Sequence, residues 1–189
     1  MRIKRITIGN FKNLAETTLD LTHMIALVST NNYGKSNLLE AIRFGFDFIS
    51  ASPKERNIMM RWRRGIPLSP ELAGNKYKFV VEFEDSELKQ YRFVRYGFSF
   101  RWYNDQETGA IITDEQLEMR ATESVRYTAY LKRDKGQYRA GKTKTGFRKI
   151  ALAEDVLAAD IISSFDDVEI TPVIRRIKKM GYRMCNTLE

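Results

Sequence analysis

The sequence predicts an α/β fold, and three observations carry that expectation. A short apolar run, Met24–Val28, leads through a turn containing Asn and Gly into a segment of helical period. Beyond Lys76, stretches such as KYKFVVEFED alternate apolar and polar residues, as strands with one buried face do. From about Ile150 the pattern returns to helix. The arrangement expected is an N-terminal lobe with a mixed sheet and a first long helix, then an antiparallel β-subdomain, then C-terminal helices.

Taken in order, RIKRITI (residues 2–8) sets Ile3, Ile6 and Ile8 among basic and polar positions, which suits a short, slightly irregular strand. Gly9-Asn10 is a turn signal. LAETTLDL alternates around Leu14, Leu19 and Leu21 and supplies an antiparallel partner. HMIALVS is the kind of apolar run that a fully buried strand shows. From Lys35, the residues Leu38, Leu39, Ile42, Phe46 and Ile49 recur at helical spacing and predict a helix to about Ser50 with a broad buried face. The next stretch carries Pro53, Gly65, Pro67, Pro70 and Gly74 around RWRRG, an irregular insertion or a short helix flanked by loops. QYRFVRYGFSFRWYND and SVRYTAYLKRD join KYKFVVEFED as strands, and Asp134-Lys135-Gly136-Gln137 reads as a hairpin turn. ALAEDVLAADIISSF and TPVIRRIKKMGY read as helices, with Pro172 near the start of the second. The expected organisation is a core over 1–52, a basic insertion over 53–75, an antiparallel β-subdomain over 76–149 and a helical segment over 150–189.

Composition narrows the functional classes. Hydrophobic residues make up 43% of the 189, enough for a core, and the formal net charge is +8 with a pI of about 9.6. A surplus of that size favours polyanionic partners such as nucleic acid, nucleotides or anionic membranes. A single cysteine, Cys185, forbids an intrachain disulfide and points to a cytoplasmic setting. A single histidine, His23, excludes a zinc finger or a His-rich metal site and reads as a loop or strand-edge residue. No apolar run approaches the ~20 residues of a membrane helix, and the basic start MRIKRITIGNF lacks the apolar stretch of a signal peptide.

Two segments compete as phosphate-binding loops. Such a loop needs a buried strand, a turn whose backbone amides converge on an anion, and a helix N-terminus. Ser29–Ser36 has that context: the strand Met24–Val28 precedes it and the helix from Lys35 follows. Gly34 lets the backbone approach the phosphates, Lys35 reaches the outer ones, and the Ser36 hydroxyl serves magnesium. Ser29 stands where the motif's leading glycine is expected, and Tyr33 adds a bulky ring. Gly136–Thr143 (GQYRAGKT) fits the formal motif better, yet its first glycine belongs to a hairpin turn and no apolar helical stripe follows. It reads instead as a basic segment on a strand or loop, with Lys142, Lys144, Arg148 and Lys149.

The residues RIKRITIGNFKNL, LDL and ALVSTNNYGKSNLLEAI together resemble the N-terminus of the ABC-type ATPase heads of the RecF, SMC and OLD-like AAA ATPase group. Asn10-Phe11-Lys12-Asn13 matches that group's opening element. Asn31 matches its loop asparagine, and Asn37, Leu38, Leu39, Ala41 and Ile42 match its helix start. The strong resemblance covers about the first 50 residues. It implies a P-loop, ABC-ATPase-like fold, ATP and Mg2+ as cofactors, and a nucleotide site built from Lys12, Ser29, Asn31, Asn32, Tyr33, Gly34, Lys35, Ser36 and Asn37. Lys12 would approach the phosphates from the side, Asn31 would lie near the γ-phosphate, and Ser36 would ligate the metal.

The group also needs a strand ending in Asp-Glu and a Ser-Gly signature that completes a partner's site. Neither is visible here; Asp166-Asp167 follows IISSF and reads as a solvated helix end. The resemblance therefore implies the N-terminal part of a longer ATPase, consistent with the ending Leu188-Glu189, whose hydrolysis needs the missing segment and a second copy in a head-to-head dimer. DNA is the implied macromolecular partner, in repair or anti-phage defence, with no membrane involvement. The alternative is a basic nucleic-acid-binding module with a degenerate P-loop, using Arg61, Trp62, Arg63, Arg64 and the basic residues of 142–149. A kinase or GTPase fits less well, given the antiparallel strands after the first helix and the lack of an N-K-x-D-like base-reading motif. A nuclease is not indicated, because no acidic cluster sits at strand ends.

Overall fold

Alternation along the strands is what builds this molecule. In the computed structural model, which describes residues 1–21, 34–61, 71–72, 74–103, 111–134, 137–140, 150–164 and 169–187, eight strands join in one sheet. They are β1 (Arg2–Gly9), β2 (Thr17–Asp20), β3 (Lys76–Glu84), β4 (Phe93–Arg101), β5 (Ile111–Arg120), β6 (Thr128–Asp134), β7 (Gln137–Ala140) and β8 (Ile150–Ala151). Their spatial order is β2-β1-β3-β4-β5-β6-β7-β8. Every ladder between them is antiparallel. The apolar run Met24–Val28, on which a parallel pairing would rest, lies outside the described residues.

Tyr77, Phe79, Val81 and Phe83 of β3 face inward beside Val94, Tyr96, Phe98 and Phe100 of β4 and Ile6 and Ile8 of β1, all buried. Helix α1 (Lys35–Ser50) lies on that face. The Phe48 ring stacks on Phe98 at 4.6 Å and on Phe100 at 5.0 Å, while Phe44 nests among Phe11, Tyr77 and Trp102. Gly45 permits the close approach: a Cβ there would sit 2.1 Å from a ring carbon of Phe79. The helix spans Lys35 to Ser50 as its periodicity predicts, but Leu39 does not share the buried face and is 51% exposed.

Helix α2 (Pro53–Met59) opens on a capping box. The Ser52 hydroxyl accepts from the Glu55 amide, and the Glu55 carboxylate accepts from the Ser52 amide. Helix α3 (Ala158–Ile162) and helix α4 (Thr171–Thr187) close the chain, with Val173, Ile174, Ile177 and Met180 of α4 in the core. Arg56 of α2 is fully buried and ties three helices together. Its guanidinium donates to Phe48 O at 2.8 Å and Ala51 O at 2.6 Å, at the C-terminal end of α1, and to both carboxylate oxygens of Asp160 at 2.5 and 3.0 Å. Lys178 of α4 reaches the same carboxylate at 2.5 Å.

One sequence expectation needs correction, and one strand is not singled out by the sequence. The helix expected from about Ile150 begins only at Ala158, and Ile150–Ala151 is strand β8. The reason is Arg133, whose guanidinium donates to the carbonyls of Ala153, Glu154 and Val156, while the Ile112 amide also donates to Glu154 O. These contacts anchor 153–156 to β6 in a non-helical path, in which Ala153 O closes only a turn with the Val156 amide. Strand β5 falls within the β-subdomain expected over 76–149 but has no strand expectation of its own. Its parity breaks at a bulge: Asp114 pairs with Ser99 and Ile112 with Phe100, so Thr113 is the extra residue. Ile112 and Leu117 thus share the buried face despite an odd spacing, and Glu115 joins them. The Glu115 carboxylate accepts from the amides of Ala158 and Ala159 at 2.6 and 3.0 Å and from the Tyr96 hydroxyl at 2.9 Å.

Candidate nucleotide site

The N-terminus of α1 is where sequence chemistry and backbone geometry meet. Gly34 sits at the N-cap with φ 96° and ψ 5°, a left-handed conformation that costs any residue with a Cβ. The first intrahelical bond runs from the Leu38 amide to Gly34 O at 2.8 Å. The amides of the first turn therefore lie outside the ladder. Gly34 has no side chain with which to cap them, and no acidic residue occupies the first turn. The contrast with α2, which has both a hydroxyl cap and Glu55, is informative. One helix start is closed by the side chains of its N-cap and first turn, whereas the N-cap and first turn of the other carry neither a hydroxyl cap nor an acid, which suits an anion. Lys35 and Ser36 are the first two helical residues, Lys35 half-buried and Ser36 exposed.

A second element is docked beside this start. After β1 the chain reverses through Asn10 (φ 57°) and Lys12 (φ 53°), and Phe11 and Leu14 exchange backbone hydrogen bonds at 3.1 and 2.8 Å. The turn is braced from below. Phe11 is fully buried, the Asn10 amide group donates to Lys76 O at 2.8 Å, and the Trp102 indole donates to Asn10 O at 3.2 Å. Its tip meets α1 through two polar contacts. Asn37 Nδ2 donates to Asn13 Oδ1 at 2.8 Å, and Lys12 Nζ pairs with Glu40 Oε2 at 2.5 Å. Leu14 Cδ2 lies 3.6 Å from where a Cβ on Gly34 would stand, so turn and helix start pack directly.

The structure thus brings Lys12, Gly34, Lys35, Ser36 and Asn37 into one region. Asn37, expected at the nucleotide, spends its side-chain amide on Asn13. Asn13 and Glu40 are additions: Asn13 was visible in the Asn-Phe-Lys-Asn element, whereas nothing local marks Glu40 as the partner of Lys12. Ser29, Asn31, Asn32 and Tyr33 lie outside the described residues, as do Arg63, Arg64, Lys142, Lys144, Arg148, Lys149 and Asp166-Asp167. Arg61 is described. Its guanidinium donates to the Tyr103 hydroxyl at 2.8 Å, and its backbone bridges Tyr103, which makes it a brace for the end of α2. Of the competing formal motif, 137–140 is strand β7, with Gln137 paired to Asp134, while Gly136 and 141–143 lie outside the described residues.

A triphosphate with magnesium fits the donor set that is described. First-turn amides behind a glycine N-cap at the start of a sixteen-residue helix, an ammonium in the first turn and an exposed hydroxyl beside it are the groups such a ligand uses. Among the described residues no helix is long and apolar enough to cross a membrane.

Comparison with known proteins agrees with this geometry. Residues 1–136 match the family described as AAA ATPase domain. Over 109 residues the chain is 31% identical to the DNA replication and repair protein RecF of Leptospira biflexa serovar Patoc, in each of two strains. That alignment covers 56% of this chain and 30% of the relative, so the chain spans about 30% of the length of the curated relatives it matches. With the family match running from Met1 through β6 and including both the braced turn and the Gly34-led helix, the chain belongs to the AAA ATPase domain family.

Proposed function

We propose that the chain binds ATP with magnesium as the N-terminal portion of an ATPase of the RecF/SMC type that acts on DNA, in repair or in defence against phage. The observation that supports this most is the start of α1: a left-handed Gly34 as N-cap, no first-turn acid, and Lys35-Ser36 as the opening residues. In this reading the amides at the helix start, together with those of 29–33, cradle the phosphates. Lys35 reaches the outer phosphates, the Ser36 hydroxyl meets the metal, and Lys12 approaches from the side. When bound, ATP supplies the phosphoryl group and magnesium neutralises charge on it; the chain's own share is positioning and electrostatic stabilisation. Activation of water is assigned to an Asp-Glu strand in a further segment, and closure of the site to a Ser-Gly signature from a second copy. The DNA assignment draws on the net charge of +8 and on the relative's description as a replication and repair protein.

Titration of the purified chain with a fluorescent ATP analogue and Mg2+ tests the reading. Lys35→Ala removes a charge-assisted phosphate contact worth about 1.5–3 kcal/mol, so affinity should fall at least about tenfold. An unchanged affinity in Lys35→Ala, or no binding by the wild-type chain, overturns it.

A further inference from the structure

The ammonium expected to serve a phosphate is already engaged. Lys12 stands at the tip of a turn whose backbone is fixed from both sides: by the mutual bonds of Phe11 and Leu14, and by the hold of Lys76 O and Trp102 on Asn10. With the backbone held, only the four side-chain torsions of Lys12 are free to redirect its charge. They now direct it to Glu40, at 2.5 Å. Glu40 is the first acidic residue of α1, and it lies three positions beyond Asn37, which the adjacent Asn13 grips. Positions three apart share a helix face. The turn therefore holds two successive points on one face of α1, just past the amides of its open N-terminus.

The two members of the pair differ in cover. The Lys12 side chain is 17% exposed and that of Glu40 is 46% exposed. Glu40 already faces water and stays hydrated when released, whereas the Lys12 side chain lies mostly covered in the pair and gains more from a replacement anion. The exchange that suits both groups is one in which an incoming anion takes over Lys12 and Glu40 turns out to solvent.

We propose that Glu40 is the resting counter-ion of Lys12, displaced when a phosphate group binds at the start of α1, and that it acts as a positioning residue that raises the concentration of nucleotide needed to load the site. This rests on the ATP-binding reading above. Because the pair must open before Lys12 can serve the ligand, the apparent affinity is lowered by the fraction of molecules in which it is closed. For an ion pair this exposed the penalty is roughly two- to fivefold.

The test is the same fluorescent-nucleotide titration with Mg2+, on the full chain, for wild type, Glu40→Gln, Lys12→Ala, the double variant and Lys35→Ala. Glu40→Gln should tighten binding roughly two- to fivefold, and the same substitution in the Lys12→Ala background should change nothing. Unchanged or weaker binding in Glu40→Gln, while Lys35→Ala still abolishes binding, overturns this proposal and leaves the ATP-binding reading intact. Tightening that persists without Lys12 also overturns it, because simple repulsion between Glu40 and phosphate then suffices. Wild-type affinity in Lys35→Ala sinks both readings together. If Glu40→Gln fails to fold, Glu40→Ala at this exposed helical position carries the same expectation.

Discussion

Replacing Gly45 with alanine ordinarily helps a helix, by about 1 kcal/mol. Here the opposite sign is expected. The added methyl carbon would lie 2.1, 2.2 and 2.6 Å from three ring carbons of Phe79, whereas carbon atoms rest at about 3.5–4.0 Å. Phe79 is fully buried, and its ring is hemmed in by Phe46 at 5.2 Å and Phe98 at 5.8 Å, so it has no free direction in which to yield. Either α1 lifts off the sheet by more than about 1 Å or the aromatic cluster repacks. Overpacking of this kind costs about 1–3 kcal/mol, and the overlap here belongs at the upper end. Set against the helical gain, the net loss is about 2 kcal/mol, or roughly 4–8 °C in Tm for a chain of this size. Urea and thermal unfolding of Gly45→Ala measure it directly. A lifted α1 also strains the Asn13–Asn37 and Lys12–Glu40 contacts, so nucleotide affinity should fall with stability. A variant as stable as wild type, or more stable, would refute the argument, because it would mean that the Gly45–Phe79 approach is not fixed.

Further predictions concern single groups. Asn13→Ala removes the acceptor of Asn37 Nδ2 and should cost about 1 kcal/mol in urea unfolding, together with a few-fold loss of nucleotide affinity as the turn leaves α1. Arg56→Met leaves Asp160 with Lys178 alone and strips the donors from Phe48 O and Ala51 O; breaking so buried a pair should cost about 3–5 kcal/mol, read from the urea midpoint. Burial pushes the Glu115 carboxyl above its ordinary range, against the pull of the Ala159 and Ala158 amides and the Tyr96 hydroxyl. A folded-state value above the unfolded one means that its contribution is full below the unfolded pKa, about 4.3, and is lost as pH rises through the folded value. The stability of wild type relative to Glu115→Gln should therefore decline as pH is raised from 4 to 8, and a flat difference would contradict this.

What the sequence revealed follows from how local each signal is. The limits of α1 were legible because Gly34, the change of period at Lys35 and the apolar stripe all lie within the helix itself. The turn after β1 was legible as a chemical string, but its docking on Asn37 and Glu40 joins residues 24 and 28 positions apart, which no local pattern encodes. Strand β5 escaped because a bulge at Thr113 shifts its alternation and because Glu115, a residue that usually marks a surface, points into the core to serve the start of α3. The false helix after Ile150 had the right composition, but a guanidinium from β6 anchors 153–156 in a non-helical path. Leu39 looked like core by spacing, yet the turn of Lys12 and Asn13 meets α1 at Asn37 and Glu40, and Leu39 remains exposed.

The guanidinium of Arg56 gives α1 two unlike ends. At its far end the helix is bolted to α2, α3 and α4 through a cluster centred on the fully buried Arg56, so a rod about 24 Å long has little freedom to slide or pivot. Whatever molecule settles at its open end meets an immovable datum. Accommodation to the shape of that molecule would then fall to side chains such as Lys12 and Lys35, and selectivity among phosphorylated ligands is to be sought in them rather than in the helix backbone.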